Sequence, residues 1–256
     1  MELYKATSED KLFLRPKPDM LKVSGDQVFA TLQGEGVTAG KPAVFLRLHF
    51  CNLACSWCDT KYTWDQNREE FWREPVDWSF SEATTNIGKA WTEKFGFEVP
   101  SFEKRLVVTG GEPLLQQKKI VSLLKLLPDW NIEIETNGTI TPLPELQGCQ
   151  INCSPKLENS GNLKNRRYRP ETLKAINAMQ NSWFKFVVTS EGDVTEIEEI
   201  VKECNLNPKK ILIMPEGTTL NATTAHLKLV EEVVRRKAWS VTKRNQLVWF
   251  GDKRRT

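Results

Sequence analysis

The sequence predicts an α/β fold: a partial six-stranded (β/α) barrel with an insertion after its first strand. Three observations lead there. Short, mostly apolar runs of strand character recur along the chain, and helical patterns separate several of them. The 256 residues, 39% of them apolar, also suffice for one sizeable core. Strands that alternate with helices build a parallel sheet, and six such units on a chain of this length suit a partial barrel better than a complete one. A single domain spanning residues 1–256 is therefore expected.

The strand runs are 43–50 (AVFLRLHF), 105–110 (RLVVTG), 132–136 (IEIET), 150–153 (QINC), 184–190 (FKFVVTS) and 210–214 (KILIM). Residues 64–104 fit the alternation poorly, because Trp64, Trp72, Trp78 and Trp91 stand there among many charges, and they read as the insertion. Pro113 is well placed as a first helical residue, since its missing N–H costs a helix nothing at that position. Leu114, Leu115, Val121, Leu124 and Leu127 then recur on one face. Segments 171–180, 194–204 and 223–237 also read as helices. There is no internal repeat and no low-complexity tract.

The formal charge of +3 arises from 36 basic and 33 acidic residues, with no long single-sign run, so charge does not indicate nucleic acid as a partner. The opening residues MELYKATSEDKLFLRPK mix charged and apolar side chains, unlike a signal peptide, and no apolar run has transmembrane length. A cytoplasmic protein without a membrane partner is expected. Of the six cysteines, Cys51, Cys55 and Cys58 crowd into eight residues. Without a secretion signal, such crowding points to metal or redox chemistry rather than to a disulfide framework.

Three thiolates at C-x3-C-x2-C let one short loop wrap a [4Fe–4S] cubane and ligate three of its irons, leaving the fourth open. S-adenosylmethionine (SAM) can chelate that iron through its amino and carboxylate groups, bringing its sulfonium within reach of an electron from the cluster. The competing reading is a structural zinc site, since zinc also favours thiolates and His49 lies two residues before Cys51 as a fourth ligand. Trp57 favours the cluster, because an aromatic ring can pack on adenine, although a lone Trp is more often core. Thr109-Gly110-Gly111-Glu112-Pro113 ends a strand and opens a helix. Its glycines permit close backbone approach to a ligand, and its peptide groups with Glu112 can hold a small ammonium such as the amino end of SAM. An ordinary strand-to-helix loop would look similar in isolation.

With both motifs present, the chain resembles the radical SAM superfamily and, within it, the 7-carboxy-7-deazaguanine synthase family. The resemblance runs from Phe29 to roughly Glu216 outside the insertion. Its diagnostic residues are Thr31-Leu32-Gln33-Gly34-Glu35-Gly36, Gly40 to Arg47, and Cys51-Asn52-Leu53-Ala54-Cys55-Ser56-Trp57-Cys58-Asp59-Thr60. Thr109 to Gln116, Glu135-Thr136-Asn137-Gly138 and Ser154-Pro155-Lys156 match further.

The resemblance implies conversion of 6-carboxy-5,6,7,8-tetrahydropterin to 7-carboxy-7-deazaguanine with loss of ammonia, on the route to queuosine and related deazapurines. It implies SAM and Mg²⁺ as cofactors, flavodoxin or ferredoxin as reductant, and a homodimer. By the same resemblance Leu32, Gln33 and Gly34 line the pterin site, with Glu35 assisting at the aminopyrimidinone edge. Arg47 would hold the substrate carboxylate through its planar fork, and Thr109 would touch the substrate. Trp57, Gly111, Glu112, Ser154, Pro155 and Lys156 face SAM, and Ile213, Met214, Pro215 and Glu216 lie where a last strand closes on adenine. A strand-end Met is more often core filler. Thr60 resembles the magnesium ligand, its alternative being a threonine that caps a turn.

The other candidates have ordinary readings. Cys149, Cys153 and Cys204 read as buried thiols, and His226 as a helix residue without a catalytic partner. Trp249 to Lys253 resemble a closing segment of the family only loosely. The rival functions are another radical SAM enzyme, such as a glycyl-radical-enzyme activase, and a zinc-stabilised nucleic-acid-binding module. Leu32 to Glu35 argue against the first, near-neutral charge against the second.

Overall fold

The computed structural model describes residues 3–96 and 103–251. Residues 97–102 of the expected insertion, and Asp252 and Lys253 of the closing segment, lie outside them. The chain divides into two compact units, one of Met1–Thr31 with Pro42–Glu135 and one of Leu32–Lys41 with Thr136–Thr256.

The first unit holds α1 (Ser8–Phe13), β1 (Met20–Leu32, its last residue belonging to the other unit), β2 (Pro42–Leu48), α2 (Glu69–Arg73), β3 (Val76–Ser79), α3 (Phe80–Phe95), β4 (Arg105–Gly110), α4 (Gln117–Leu124) and β5 (Asn131–Thr136, likewise ending at the boundary). Its strands lie in the order β3-β1-β2-β4-β5. β2 and β4 run parallel, with Val44 opposite Leu106 and Leu48 opposite Gly110; β3 runs antiparallel to β1. Lys22, 1% exposed, fastens the β1–β3 edge by reaching Asp77 at 2.7 Å and the Phe13 carbonyl at 3.0 Å.

The region read as an insertion supplies α2, β3 and α3. α3 is the crossover helix that a parallel β2–β4 pair requires. A Ser79–Glu82 capping box starts it, and Ala83, Ile87 and Trp91 form its buried face. Those apolar residues recur every four positions among Glu, Lys and Thr, which masks the pattern in a window full of charges and tryptophans. Pro113 opens a 3₁₀ turn, Pro113–Gln116, and the α-helix proper starts one turn later at Gln117.

The second unit holds β6 (Gln150–Cys153), α5 (Lys164–Arg167), α6 (Pro170–Asn177), β7 (Ser182–Val188), α7 (Glu191–Glu203), β8 (Ile211–Pro215), α8 (Leu220–Lys237), β9 (Ser240–Val241) and α9 (Asn245–Phe250). β6, β7, β8 and β9 are parallel neighbours in that order, with helices between consecutive strands. Pro170 opens α6, and the Asp193 carboxylate reaches back to the Ser190 N–H at 2.9 Å to start α7. Leu173, Ile176, Val194, Ile197 and Ile200 are the apolar residues these helices bury.

Parallel strands with crossover helices make this an α/β fold. All six expected strands are present as β2, β4, β5, β6, β7 and β8. No hydrogen-bonded ring closes them among the described residues, as a partial barrel requires. β1, β3 and β9 are additional. β1 escapes a period-two reading because Lys22, Ser24, Gly25, Asp26 and Gln27 interrupt its apolar run.

Candidate active site

In the first unit the site grows from the C-terminal ends of β2 and β4. Leu48 ends β2, His49 turns into the core, and Phe50 takes a left-handed backbone, φ 78°. A non-glycine residue there is uncommon and strained, so its surroundings must hold it. Three contacts do so. The Phe50 N–H donates to the Thr63 carbonyl at 3.1 Å, the Phe50 carbonyl accepts from the Glu112 N–H at 2.8 Å, and its ring meets the edge of His49 at a centroid distance of 4.8 Å. The reversal delivers Cys51 into the cysteine loop.

The glycines of Thr109–Pro113 serve this junction. Gly110 has φ 122°, and a Cβ there would collide with Leu48 main chain. A Cβ on Gly111 would collide with the Phe50 carbonyl and crowd Cys51. The close approach is between two strand ends, sealed by the Gly111 N–H donating to the Leu48 carbonyl at 3.1 Å. Glu112 is fully buried, and one of its oxygens accepts the Leu114 N–H at 2.9 Å, capping the turn. Gln116 braces the same corner. Its amide accepts from the Lys22 N–H at 2.9 Å and donates to the Lys22 and His49 carbonyls.

Cys55 is buried, Cys51 and Cys58 are half-buried, and none of the three is in a disulfide. Burial, reinforced by the charges of Glu112, Cys55 and Cys58, pushes the Cys51 thiol up to about 12. Such a thiol gives up its proton when a cation takes its place, so the donor set suits a cluster of iron cations. A single zinc needs its ligands on one tetrahedron, whereas a cubane takes each thiolate on a different iron. His49, zinc's proposed fourth ligand, is wholly buried between Phe50 and Phe71, and burial lowers its pKa to about 4.

Trp57 is half-buried in the cysteine loop. Thr60 precedes the 3₁₀ turn Lys61–Thr63, yet its side chain makes no capping bond. Its hydroxyl lies 3.5 Å from the Cys58 sulfur, while its carbonyl accepts from both the N–H and the hydroxyl of Thr63. Arg47 and Thr109 are register partners on β2 and β4, so the two proposed substrate contacts stand side by side. The Arg47 guanidinium lies over the Phe29 ring, 5.4 Å from its centroid.

The second unit gathers the remaining candidates in three places. Ser154 and Pro155 are buried beyond β6, and Lys156 turns its ammonium back to the Ser154 carbonyl and hydroxyl at 2.9 and 2.8 Å. Ile213, Met214 and Pro215 are buried in β8 opposite Phe186, Val187 and Val188, so their side chains belong to the core. Glu216 follows, its carbonyl 2.7 Å from His226 Nδ1. His226 thus has a partner that its sequence neighbourhood does not reveal.

Leu32, Gln33, Gly34 and Glu35 form a turn whose neck is closed by Gln33 N–H to Lys41 carbonyl, 2.8 Å, and Gly40 N–H to Gln33 carbonyl, 2.7 Å. The Glu35 carboxylate meets Lys185 at 2.6 Å, Arg244 at 3.3 Å and the Gln246 amide at 2.8 Å. Burial alone would raise its pKa; the Lys185 and Arg244 charges outweigh that and lower it to about 2. Lys185, Arg244 and Gln246 were missed from sequence. Lys185 carried a usable signal, a lone cation in the apolar run FKFVV, the same signal that singled out Arg47.

The family model described as a 4Fe-4S single cluster domain matches residues 32–139. A 7-carboxy-7-deazaguanine synthase of Pyrobaculum aerophilum is 33% identical over 234 residues, covering 89% of this chain and 95% of the relative. That of Halobacterium salinarum is 30% identical over 251 residues, covering 89% and 90%. The crystal structure of QueE from Escherichia coli matches with a TM-score of 0.64 at 25% identity, covering 93% of this chain and 99% of that one. Similarity of this extent, across nearly the whole of both chains, places the protein in the 7-carboxy-7-deazaguanine synthase family.

Proposed function

We propose that the protein is a radical SAM 7-carboxy-7-deazaguanine synthase, acting on 6-carboxy-5,6,7,8-tetrahydropterin with loss of ammonia. One observation carries the reading: the Cys51–Cys58 loop is joined through Phe50 to Glu112, so the thiol and glycine-rich motifs form one structural junction. Membership of the family supports it. Cys51, Cys55 and Cys58 would hold the [4Fe–4S] cluster, which, reduced by flavodoxin or ferredoxin, would supply with SAM the one-electron chemistry that starts the reaction.

The chain's own residues bind and orient. Glu112, buried beside Gly111, receives the SAM ammonium, and Trp57 packs on the adenine. Arg47 presents its fork to the substrate carboxylate, with Thr109 beside it and the Phe29 ring beneath it at cation–π distance. Thr60 offers a hydroxyl oxygen to Mg²⁺, a hard cation that otherwise keeps waters. Leu32, Gln33 and Gly34 present their turn to the pterin. Ser154, Pro155 and Lys156, with Ile213 to Glu216 through their main chain, complete SAM recognition. The chain acts as one radical SAM domain, in the cytoplasm and as a homodimer. Among the described residues no helix is long and apolar enough to cross a membrane.

The test is anaerobic reconstitution followed by assay with SAM, dithionite, Mg²⁺ and the carboxypterin. About four irons per chain are expected, as for one cubane on thiolate ligands. The assay should yield 7-carboxy-7-deazaguanine and ammonia, and Cys55→Ala should lose both cluster and SAM cleavage. Stoichiometric zinc without charge-transfer absorption would overturn the reading.

A further inference from the structure

The turn Gly34–Gly36 is gripped from the C-terminal segment at four points. The Gly34 carbonyl accepts from the Asn245 N–H at 3.0 Å, and the Gly36 N–H donates to the Thr242 hydroxyl at 2.7 Å. The Glu35 carboxylate takes Arg244 at 3.3 Å and Gln246 at 2.8 Å through the same oxygen, its other oxygen taking Lys185 of β7 at 2.6 Å. Gly34 lies so close to Gln246 that a Cβ would collide with the amide. These partners are 150 and more residues away in sequence, and the Lys185, Glu35 and Arg244 side chains are only 10%, 17% and 17% exposed.

We infer that residues 242–246 are a clasp on the Leu32–Glu35 turn, and that Arg244 is a positioning residue for pterin recognition, acting through Glu35 rather than on the substrate. Glu35 is thereby the anchor of the turn, and Leu32, Gln33 and Gly34 are its recognising face. This rests on the pterin reading proposed above. The physical logic is that a carboxylate held between two cations at short range has one orientation. Removing one cation from a mostly buried set frees the turn, because the remaining charges rearrange toward water. A turn with several orientations binds its ligand less tightly, since the competent one is only fractionally populated.

The experiment compares the reconstituted full chain with Arg244→Ala and Arg244→Lys. For Arg244→Ala, KM for the carboxypterin should rise about tenfold, the size expected for losing one charge-assisted contact. Its kcat, and its reductive cleavage of SAM without pterin, should stay within about twofold of the parent, as for loss of uniform binding. Arg244→Lys, which keeps the charge, should recover part of KM. Independently of any activity, amide exchange at Gly36 and Asn245 should speed up about tenfold in Arg244→Ala as the clasp opens locally. An unchanged KM overturns the positioning role, and unchanged exchange overturns the clasp. A parallel fall in kcat and uncoupled SAM cleavage also overturns it, by showing general damage. If the parent itself fails to turn over the carboxypterin, the functional reading falls, while the exchange rates still decide the clasp.

Discussion

The main-chain N–H of Glu112 donates to the carbonyl oxygen of Phe50 across 2.8 Å, tying the end of the glycine-rich motif to the residue that precedes the first cluster cysteine. Phe50 reaches that position only in a left-handed conformation, at a cost on the order of 1–2 kcal/mol for a residue with a Cβ. Gly111 lies where the two strand ends nearly touch. Gly111→Ala should therefore destabilise the protein by about 1–3 kcal/mol, the usual cost of overpacking. It should also lower iron retention, because the added methyl crowds Cys51. Denaturant midpoints of the apo forms and iron content after reconstitution test both effects. A variant equal to the parent in both would mean that the strand ends tolerate separation.

Arg47 is the second test. Its neighbour in register is Thr109, and its guanidinium lies over the Phe29 ring. With the cluster intact, Arg47→Ala should weaken carboxypterin binding by about ten- to a hundredfold, the equivalent of about 1.5–3 kcal/mol for a charge-assisted contact. Arg47→Lys should recover only part of this, since an ammonium has neither the bidentate fork nor the flat face. Calorimetric titration measures both constants, and an unchanged value for Arg47→Ala removes the residue from the site.

The six core strands were legible because each is a short, nearly continuous apolar run, as buried parallel strands require. The cysteine and glycine-rich motifs stood out as patterns because local spacing carries them. What spacing does not carry is contact at long range. Nothing around Glu35 announces Lys185 or Arg244, and nothing around Glu216 announces His226. The glycines of Thr109–Pro113 show a subtler limit. Their position was readable, but their crowding neighbour was not, because the Leu48–Phe50 main chain lies more than 50 residues earlier. The helix α3 was lost for another reason: its buried Ala83, Ile87 and Trp91 are diluted by polar residues on its other face.

Glu35 gives a pH dependence with a definite sign. Its folded-state pKa, about 2, lies below the ordinary glutamate value of 4.5, so below that value the unfolded chain binds more protons than the folded one. The ion cluster's contribution is fully present above about pH 5 and is lost as pH falls through about 2. A shift of this size corresponds to about 3 kcal/mol. Lys185, Arg244 and Gln246 are the groups that face the carboxylate. Glu35→Gln should lower stability near pH 7 and flatten its decline between pH 5 and 2. Urea midpoints across that range read the effect, and parallel acid limbs for the two proteins would show that Glu35 contributes none of the slope.

Thr60 separates magnesium binding from local structure most cleanly. It occupies the position of a cap before the Lys61–Thr63 turn, yet its hydroxyl makes no capping bond and lies 3.5 Å from the Cys58 sulfur instead. A capping threonine would cost about 1 kcal/mol on substitution by Ala. Here Thr60→Ala should leave the melting temperature near that of the parent, and the carbonyl that accepts from Thr63 is untouched. If the hydroxyl ligates Mg²⁺, the same substitution should raise the magnesium concentration for half-maximal turnover, because water replaces a fixed octahedral donor less rigidly. Iron content should be unchanged. Magnesium titrations of turnover beside melting curves therefore assign the residue: a shifted titration with an unshifted melt places Thr60 on the metal, and an unshifted titration takes it off.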